Sequence, residues 1–328
     1  MTYFLTGTTG FLGGAIARQL VSAGHRVRAL VRDPARAADL AAVGVELHRG
    51  DVTDKPSLRD PMRGVDGAFH VAGWYKIGVR DPRTAQAVNV DGTRNVLEVM
   101  RELRIPRGVY TSTLAVNSDT HGRVVDETYR FHGRHVSVYD RTKAEAHRVA
   151  EQLIREGLPL IIVQPGLIYG PGDTSGVRTM LLDFLRGRLK VIPKGAAYSW
   201  GHIDDIARGH LLAMAHGQPG RNYFLAGPAH TIVEAIDIAS AATGLPKPAR
   251  VSPVVLRGAA AIMRVVELVV AVPPGMNAES LRVLAGVTYL GSSARAREEL
   301  GWTARPLAEG LAATLRHEQS SAVNSVTL

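Results

Sequence analysis

Tyr3-Phe-Leu-Thr-Gly-Thr-Thr-Gly-Phe-Leu-Gly13 decides the reading of this chain. Residues 3–6 are a short apolar run of the kind a buried parallel strand requires. Glycines follow at 7, 10 and 13, and the helical pattern that starts in this loop closes at Gly24, a good C′ residue. The spacing departs from the commoner G-x-G-x-x-G. The physics is shared: a tight turn after the first strand, backbone close to a pyrophosphate, and a helix N-terminus aimed at negative charge. The turn therefore reads as a dinucleotide cradle made of Gly7, Thr9, Gly10, Phe11, Leu12 and Gly13.

Outward from the cradle, strand and helix alternate. Further strand candidates lie at 26–31, 45–48, 67–71, 108–113 and 160–163. Helical patterns separate them: one begins at Asp33-Pro34, an N-cap followed by proline at N1, and others run over about 81–103 and 137–156. Six strands with helical crossovers imply an α/β fold, a doubly wound parallel sheet of the Rossmann kind. After residue 163 the rhythm changes, with Gly, Pro and Asp clustered at 164–173. Residues 1–163 read as the dinucleotide-binding domain. Residues 164–328 read as a smaller, mostly helical substrate lobe, with segments near 200–227 returning to pack on the first domain. The last dozen residues read as frayed.

The end of the second strand bears on which nicotinamide cofactor is bound. An acidic residue there would bind the ribose 2′-hydroxyl of NAD. Here Val31 takes that place and Arg32 follows, a guanidinium able to grip a 2′-phosphate. Asp33 is better used as the helix cap. The reading favours NADP(H), with NAD(H) the alternative. Asp51, in Gly50-Asp-Val52, is a candidate for the adenine end or a plain turn aspartate.

Tyr139-Asp-Arg-Thr-Lys143 supplies the chemistry. Positions i and i+4 share a helix face, so the lysine is expected to press its charge on the tyrosine hydroxyl and lower its pKa. A cofactor cradle with an activated tyrosine reads as hydride chemistry.

The bulk numbers narrow the class. The chain has 328 residues and no cysteine, which removes disulfides, thiolate nucleophiles and cysteine-ligated metals and fits a cytoplasmic location. No signal peptide is read at the start. The formal charge is +9, but the arginines are dispersed, so no nucleic acid is expected. None of the 12 histidines has a ligand spacing, so no metal is expected. Residues 254–272 are the most apolar stretch, interrupted by Arg257, Arg264 and Glu267 and ended by Pro273-Pro274. They read as an amphipathic helix on the substrate lobe, with membrane contact the weaker expectation.

These residues resemble the extended short-chain dehydrogenase/reductase family, also called the NAD-dependent epimerase/dehydratase family. The match runs through the cradle, Gly50-Asp-Val, His70-Val-Ala-Gly, Asn89-Val-Asp-Gly-Thr-Arg-Asn95, Tyr110-Thr-Ser-Thr113, Tyr139 to Lys143, Tyr169-Gly-Pro-Gly-Asp173 and His202-Ile-Asp-Asp205. The resemblance implies Thr113 as the hydroxyl beside Tyr139, Tyr139 as acid/base, Lys143 as ribose anchor and pKa modulator, and Asn89 as support for the helix. It extends the cofactor set to Asp51, Val52, Val71, Ala72, Gly73, Pro165 and Gly166. It also implies a homodimer through the two long helices.

Within the family, sugar-nucleotide enzymes hold a diphosphate with an asparagine and an arginine. Here Gln164-Pro-Gly-Leu-Ile-Tyr-Gly-Pro171 puts Leu167 at the asparagine, and Ala197-Tyr-Ser-Trp-Gly-His202 puts Tyr198 at the arginine. The pocket is expected to be more apolar, walled by Trp74, Tyr75, Leu167, Tyr198 and Trp200. Val27-Arg-Ala-Leu-Val-Arg-Asp-Pro34 is similar to dihydroflavonol-reductase-like and hydroxysteroid-dehydrogenase-like members. The expectation is an NADP(H)-dependent reductase of a small-molecule ketone or aldehyde. The alternatives are an NAD-dependent sugar or sugar-nucleotide epimerase/dehydratase, or a non-catalytic NADP-binding redox sensor.

Overall fold

Every residue of the strands Gly67–His70, Gly108–Thr111 and Leu160–Pro165 is buried, as strands covered by helices on both faces must be. In chain order the strands are β1 (Thr2–Thr6), β2 (Arg26–Val31), β3 (Glu46–Arg49), β4 (Gly67–His70), β5 (Gly108–Thr111), β6 (Leu160–Pro165), β7 (Leu167–Tyr169), β8 (Val191–Pro193), β9 (Ala197–His202), β10 (Asn222–Leu225), β11 (Ala229–Thr231), β12 (Ala249–Val251) and β13 (Thr288–Tyr289). This computed structural model describes residues 1–78, 81–267, 269–270, 272 and 275–324. Pro273 and Pro274 lie outside them.

Seven strands form one parallel sheet in the order β10-β6-β5-β4-β1-β2-β3. The order reverses between β1 and β4, so the ligand crevice of an open α/β sheet lies at their carboxyl ends. Thr6 and His70 stand side by side there. β10 extends the sheet beyond β6, and helix Ile203–His216 joins the same buried core as helix Phe11–Ser22 through Ile203, Ile206, Ala207, Ala213 and Met214.

The expected strands form, one with the expected bounds and the others with ends shifted by one or two residues. The helix expected near 81–103 is not uniform. It consists of Arg83–Gln86, a π-helical turn Ala87–Asp91 and helix Gly92–Glu102. π-Turns cluster at functional sites, and this one carries Asn89.

The second half holds more strand than its sequence announced. β9 is flanked by β11 and β13 and also pairs with β7, while β12 pairs with β8. These strands are too short for a two-residue period to stand out. Helix Leu307–Asn324 reaches into the dozen residues expected to fray, the last four of which lie outside the described residues. Leu307, Leu311 and Leu315 are buried in the lobe core, and buried Glu318 pairs with Arg178 at 2.8 and 2.9 Å.

Candidate active site

The cradle is closed to side chains at two glycines. Gly7 is left-handed at φ +76°, and a Cβ there would stand 2.7 Å from the Ala72 amide nitrogen. A Cβ on Gly13 would collide with the Gly7 carbonyl. Helix Phe11–Ser22 starts at Gly10 with no side-chain cap and no acid in its first turn, so its N-terminal amides face outward unclaimed by a capping group. These features fit a pyrophosphate. At the end of β2, Arg28 donates to the Arg63 carbonyl at 2.9 Å and Asp33 accepts from Ala35 N, as its capping role required. Arg32 is exposed, and among the described residues no carboxylate pairs with it. Asp51 Oδ1 accepts from the Thr53 amide and hydroxyl, both at 2.9 Å, so it orders a turn. Val52 beside it is buried, its carbonyl held by Asn95 at 2.9 Å. Gly166, after Pro165 at the end of β6, is packed so closely on the Ser199 carbonyl that a Cβ would not fit.

A buried chain of groups ties this cradle to the catalytic helix. The Thr6 hydroxyl accepts from the Val71 and Ala72 amides, both at 3.1 Å, which hangs the loop 71–73 from β1. Its own proton then goes to His70 Nδ1 at 2.9 Å, leaving His70 Nε2 to donate to Thr93 Oγ1 at 3.0 Å. Burial, and next the Lys143 charge, push the His70 pKa down to about 3, so the ring is neutral. His70 stacks on Tyr110 at 5.5 Å. A Cβ on Gly73 would lie 3.5 Å from Asn89 Oδ1 and 3.9 Å from Lys143 Nζ.

Helix Val138–Arg155 begins at Ser137, whose hydroxyl caps Asp140 N at 3.0 Å. In its first turn, Tyr139 sits within reach of the Thr113 hydroxyl. Thr113 also caps the turn Leu114–Asn117 through Ala115 N at 3.2 Å. Neighbouring Ser112 points away, buried against His147 Nδ1 at 2.9 Å. Burial raises the Tyr139 pKa to about 12 against the downward pull of Thr113. Lys143 is 5% exposed and donates to the Thr111 carbonyl at 2.9 Å and the Tyr110 hydroxyl at 3.3 Å. Burial pushes its pKa down to about 7. The expected lowering of the tyrosine by the lysine is therefore not met: the ammonium is drawn to the end of β5, and desolvation dominates at both groups. Asn89 accepts from Trp74 N at 2.7 Å and donates to the Trp74 carbonyl at 3.0 Å and to Thr142 Oγ1 at 2.9 Å. It thereby locks the loop after β4 to the catalytic helix.

The sequence pattern described as the NAD dependent epimerase/dehydratase family matches residues 3–226. The chain belongs to that family. As an extended short-chain dehydrogenase/reductase, it is 33% identical over 308 residues to the sterol demethylase protein B of Methylococcus capsulatus, covering 92% of this chain and 93% of that one. It is 34% identical over 228 residues to the 4-hydroxy-2-methyl-3-oxo-4-farnesyl-3,4-dihydroquinoline-1-oxide ketoreductase of Stigmatella aurantiaca, covering 69% of this chain and 68% of that one. The UDP-glucose 4-epimerase of Thermotoga maritima superposes with a TM-score of 0.79 over 98% of this chain and 100% of that one. At 20% identity that likeness is one of fold alone.

For this family member the five expected pocket residues separate. Tyr198 packs with Tyr139, Ala115, Val283, Val287 and Tyr289, and stacks on the Tyr289 ring at 5.9 Å. Trp74 is half-buried, and its enclosed indole N–H has no partner among the described residues. Trp200 is not a wall of this pocket. It is 1% exposed in the lobe core, with its N–H donating to the His230 carbonyl at 2.9 Å. Leu167 packs on that same core, and Tyr75 is 54% exposed, its hydroxyl 3.3 Å from Thr174. Sequence reasoning missed Tyr289, which donates to Asp140 Oδ2 at 2.9 Å, because its strand is two residues long. It also missed Tyr110, Thr93 and His70 as one network. Their motifs were visible, but their meeting depends on strand neighbours. Asp140, buried between Ser137 and Tyr289, has its pKa raised to about 6.

Proposed function

We propose that this protein is an NADPH-dependent reductase that converts an apolar ketone or aldehyde to an alcohol. The observation that carries the reading is the placing of Tyr139 beside the Thr113 hydroxyl, which pulls the tyrosine pKa down against burial, with Lys143 one turn along the same helix. A hydroxyl whose pKa is about 12 is fully protonated at neutral pH, the ground state a proton donor needs. Bound at the cradle, a nicotinamide supplies the hydride. Tyr139 and Thr113 donate hydrogen bonds to the carbonyl oxygen, where negative charge grows. Tyr139 then gives up its proton and is reprotonated before the next turnover, while Lys143, one turn along, would hold the cofactor ribose.

Arg32, with no carboxylate partner among the described residues at the end of β2, supports NADPH over NADH. Leu167 and Tyr198, in place of diphosphate contacts, support an uncharged substrate, as do relatives named as a ketoreductase and a sterol protein. The test is loss of NADPH absorbance with a panel of aryl, alicyclic and aliphatic ketones and aldehydes, wild type beside Tyr139→Phe, repeated with NADH. Turnover that needs the tyrosine and prefers NADPH is the expected result. No turnover, with NAD retained through purification, would instead support internal redox chemistry on a sugar substrate.

A further inference from the structure

Helix Pro253–Val266 is capped by Ser252 and begins with proline at N1. The sequence favoured an amphipathic helix laid on the substrate lobe, yet Ala260 is the helix residue that is buried. Val254, Val255, Ile262 and Val265 are 70%, 61%, 66% and 64% exposed. Their spacing puts them along one face. Val269 and Met276 continue the apolar surface at 85% and 60% exposed. An uncovered stripe of this kind marks a surface that meets something other than water.

Basic residues flank the stripe. Arg257 and Arg264, two turns apart on this helix, join Arg282 of helix Ala278–Leu284 around a cavity of about 780 Å³. Among the described residues no carboxylate pairs with any of the three. Asp119, the acid on the cavity wall, accepts from Thr288 N and Oγ1 at 3.0 Å and lies 3.3 Å from His121. Glu267, at the helix end, accepts from Ala278 N at 2.6 Å.

We propose that this face docks the protein on an anionic lipid bilayer. The valine and isoleucine stripe enters the boundary between headgroups and acyl chains, and Arg257, Arg264 and Arg282 take the lipid phosphates. Guanidinium forks match phosphate oxygens. Among the described residues no helix is long and apolar enough to cross a membrane, so the contact lies along the surface. A second copy of the chain fits the stripe less well. A two-fold contact through it would bring the unpaired arginines of both copies to one seam. The placement also serves the site. Val287 lines the arginine cavity and packs with Ala115, Tyr139, Tyr198 and Tyr289, so the docking face is one wall away from Tyr139. Docking stands apart from the reductase reading, because it is measured without turnover.

The experiment is co-sedimentation of the full chain with vesicles of phosphatidylcholine alone, and of equal parts phosphatidylcholine and phosphatidylglycerol, at low and high salt. The expected result is binding to the mixed vesicles that weakens with salt and is about tenfold weaker on phosphatidylcholine. Ile262→Ser with Val265→Ser, and separately Arg257→Gln with Arg264→Gln, should each weaken it about tenfold with the thermal melt unchanged. Absence of wild-type binding overturns the proposal. So does binding that the Ile262/Val265 pair leaves intact, or a dimer in light scattering that this pair dissociates while vesicles go unbound.

Discussion

Lys143 Nζ lies 4.9 Å from the centre of the Tyr110 ring and 3.3 Å from its hydroxyl. The contact gives the ammonium a π face and a carbonyl, but no carboxylate, at a site with almost no solvent. A buried lysine without a counter-charge is held at the edge of losing its proton, hence a pKa pushed down to about 7.

That depression makes folding stability pH-dependent. Unfolded, the lysine keeps its proton up to about pH 10.4; folded, it releases it near 7. Between these values the unfolded chain binds more protons, so stability rises with pH. Above about pH 10 the raised Tyr139 works in the opposite direction, because the folded state then holds the extra proton. The thermal midpoint attributable to this site should climb between about pH 7 and 10. Lys143→Met should flatten that climb and abolish turnover. Melting curves across this range, wild type against variant, check it; parallel curves would count against a buried charged lysine.

Tyr139→Phe should lower kcat by ~10²–10⁴-fold with the fold intact, as loss of a proton donor does. Thr113→Val should cost about 10²–10³-fold through the lost donor to the developing oxyanion. Ser112→Ala is the control. Its hydroxyl is spent on His147, so kcat should hold while stability falls by about 1 kcal/mol. Steady-state kinetics beside circular-dichroism melts separate the three. A large kcat loss in Ser112→Ala would reverse the assignment of the two hydroxyls.

Arg32→Ser should raise KM for NADPH by roughly 10–100-fold and leave KM for NADH nearly unchanged, the size expected for charge-assisted hydrogen bonds to a phosphate. Arg28→Ser should not shift the preference, since Arg28 is engaged with the Arg63 carbonyl and lies 3.6 Å from Glu46. Equal losses with both cofactors in Arg32→Ser would remove it from 2′-phosphate recognition.

Which parts of this were legible follows from their range. β1, the glycine turn and the Tyr139/Lys143 spacing are local, and their chemistry is fixed within a few residues. The direction of Lys143 is not local: its helix puts it on the tyrosine's face, but the Thr111 carbonyl and Tyr110 on β5 decide where the ammonium goes. Tyr198 and Trp200 alternate onto the same side of β9, and spacing cannot part them. Trp200 is covered by Tyr169 and the His230 carbonyl, whereas Tyr198 meets Tyr289 from a strand paired across β9. Asn89 was readable as support for the helix. That a π-turn delivers it to both Trp74 and Thr142 was not.

His70 joins the two halves of the site, the cradle through Thr6 and the helix of Thr93 through its other ring nitrogen. His70→Leu keeps the volume but strands the Thr6 hydroxyl proton and takes the donor away from Thr93 Oγ1, both on fully buried side chains. Each stranded group costs about 1–3 kcal/mol. The amides of Val71 and Ala72 hang from that same Thr6 oxygen, and Gly7 packs against Ala72. The cradle should therefore loosen along with the fold. The expected result is a lower melting midpoint and weaker NADPH binding by fluorescence titration, with the preference over NADH unchanged because Arg32 is untouched. A destabilised variant that binds NADPH as tightly as wild type would make His70 a packing residue only.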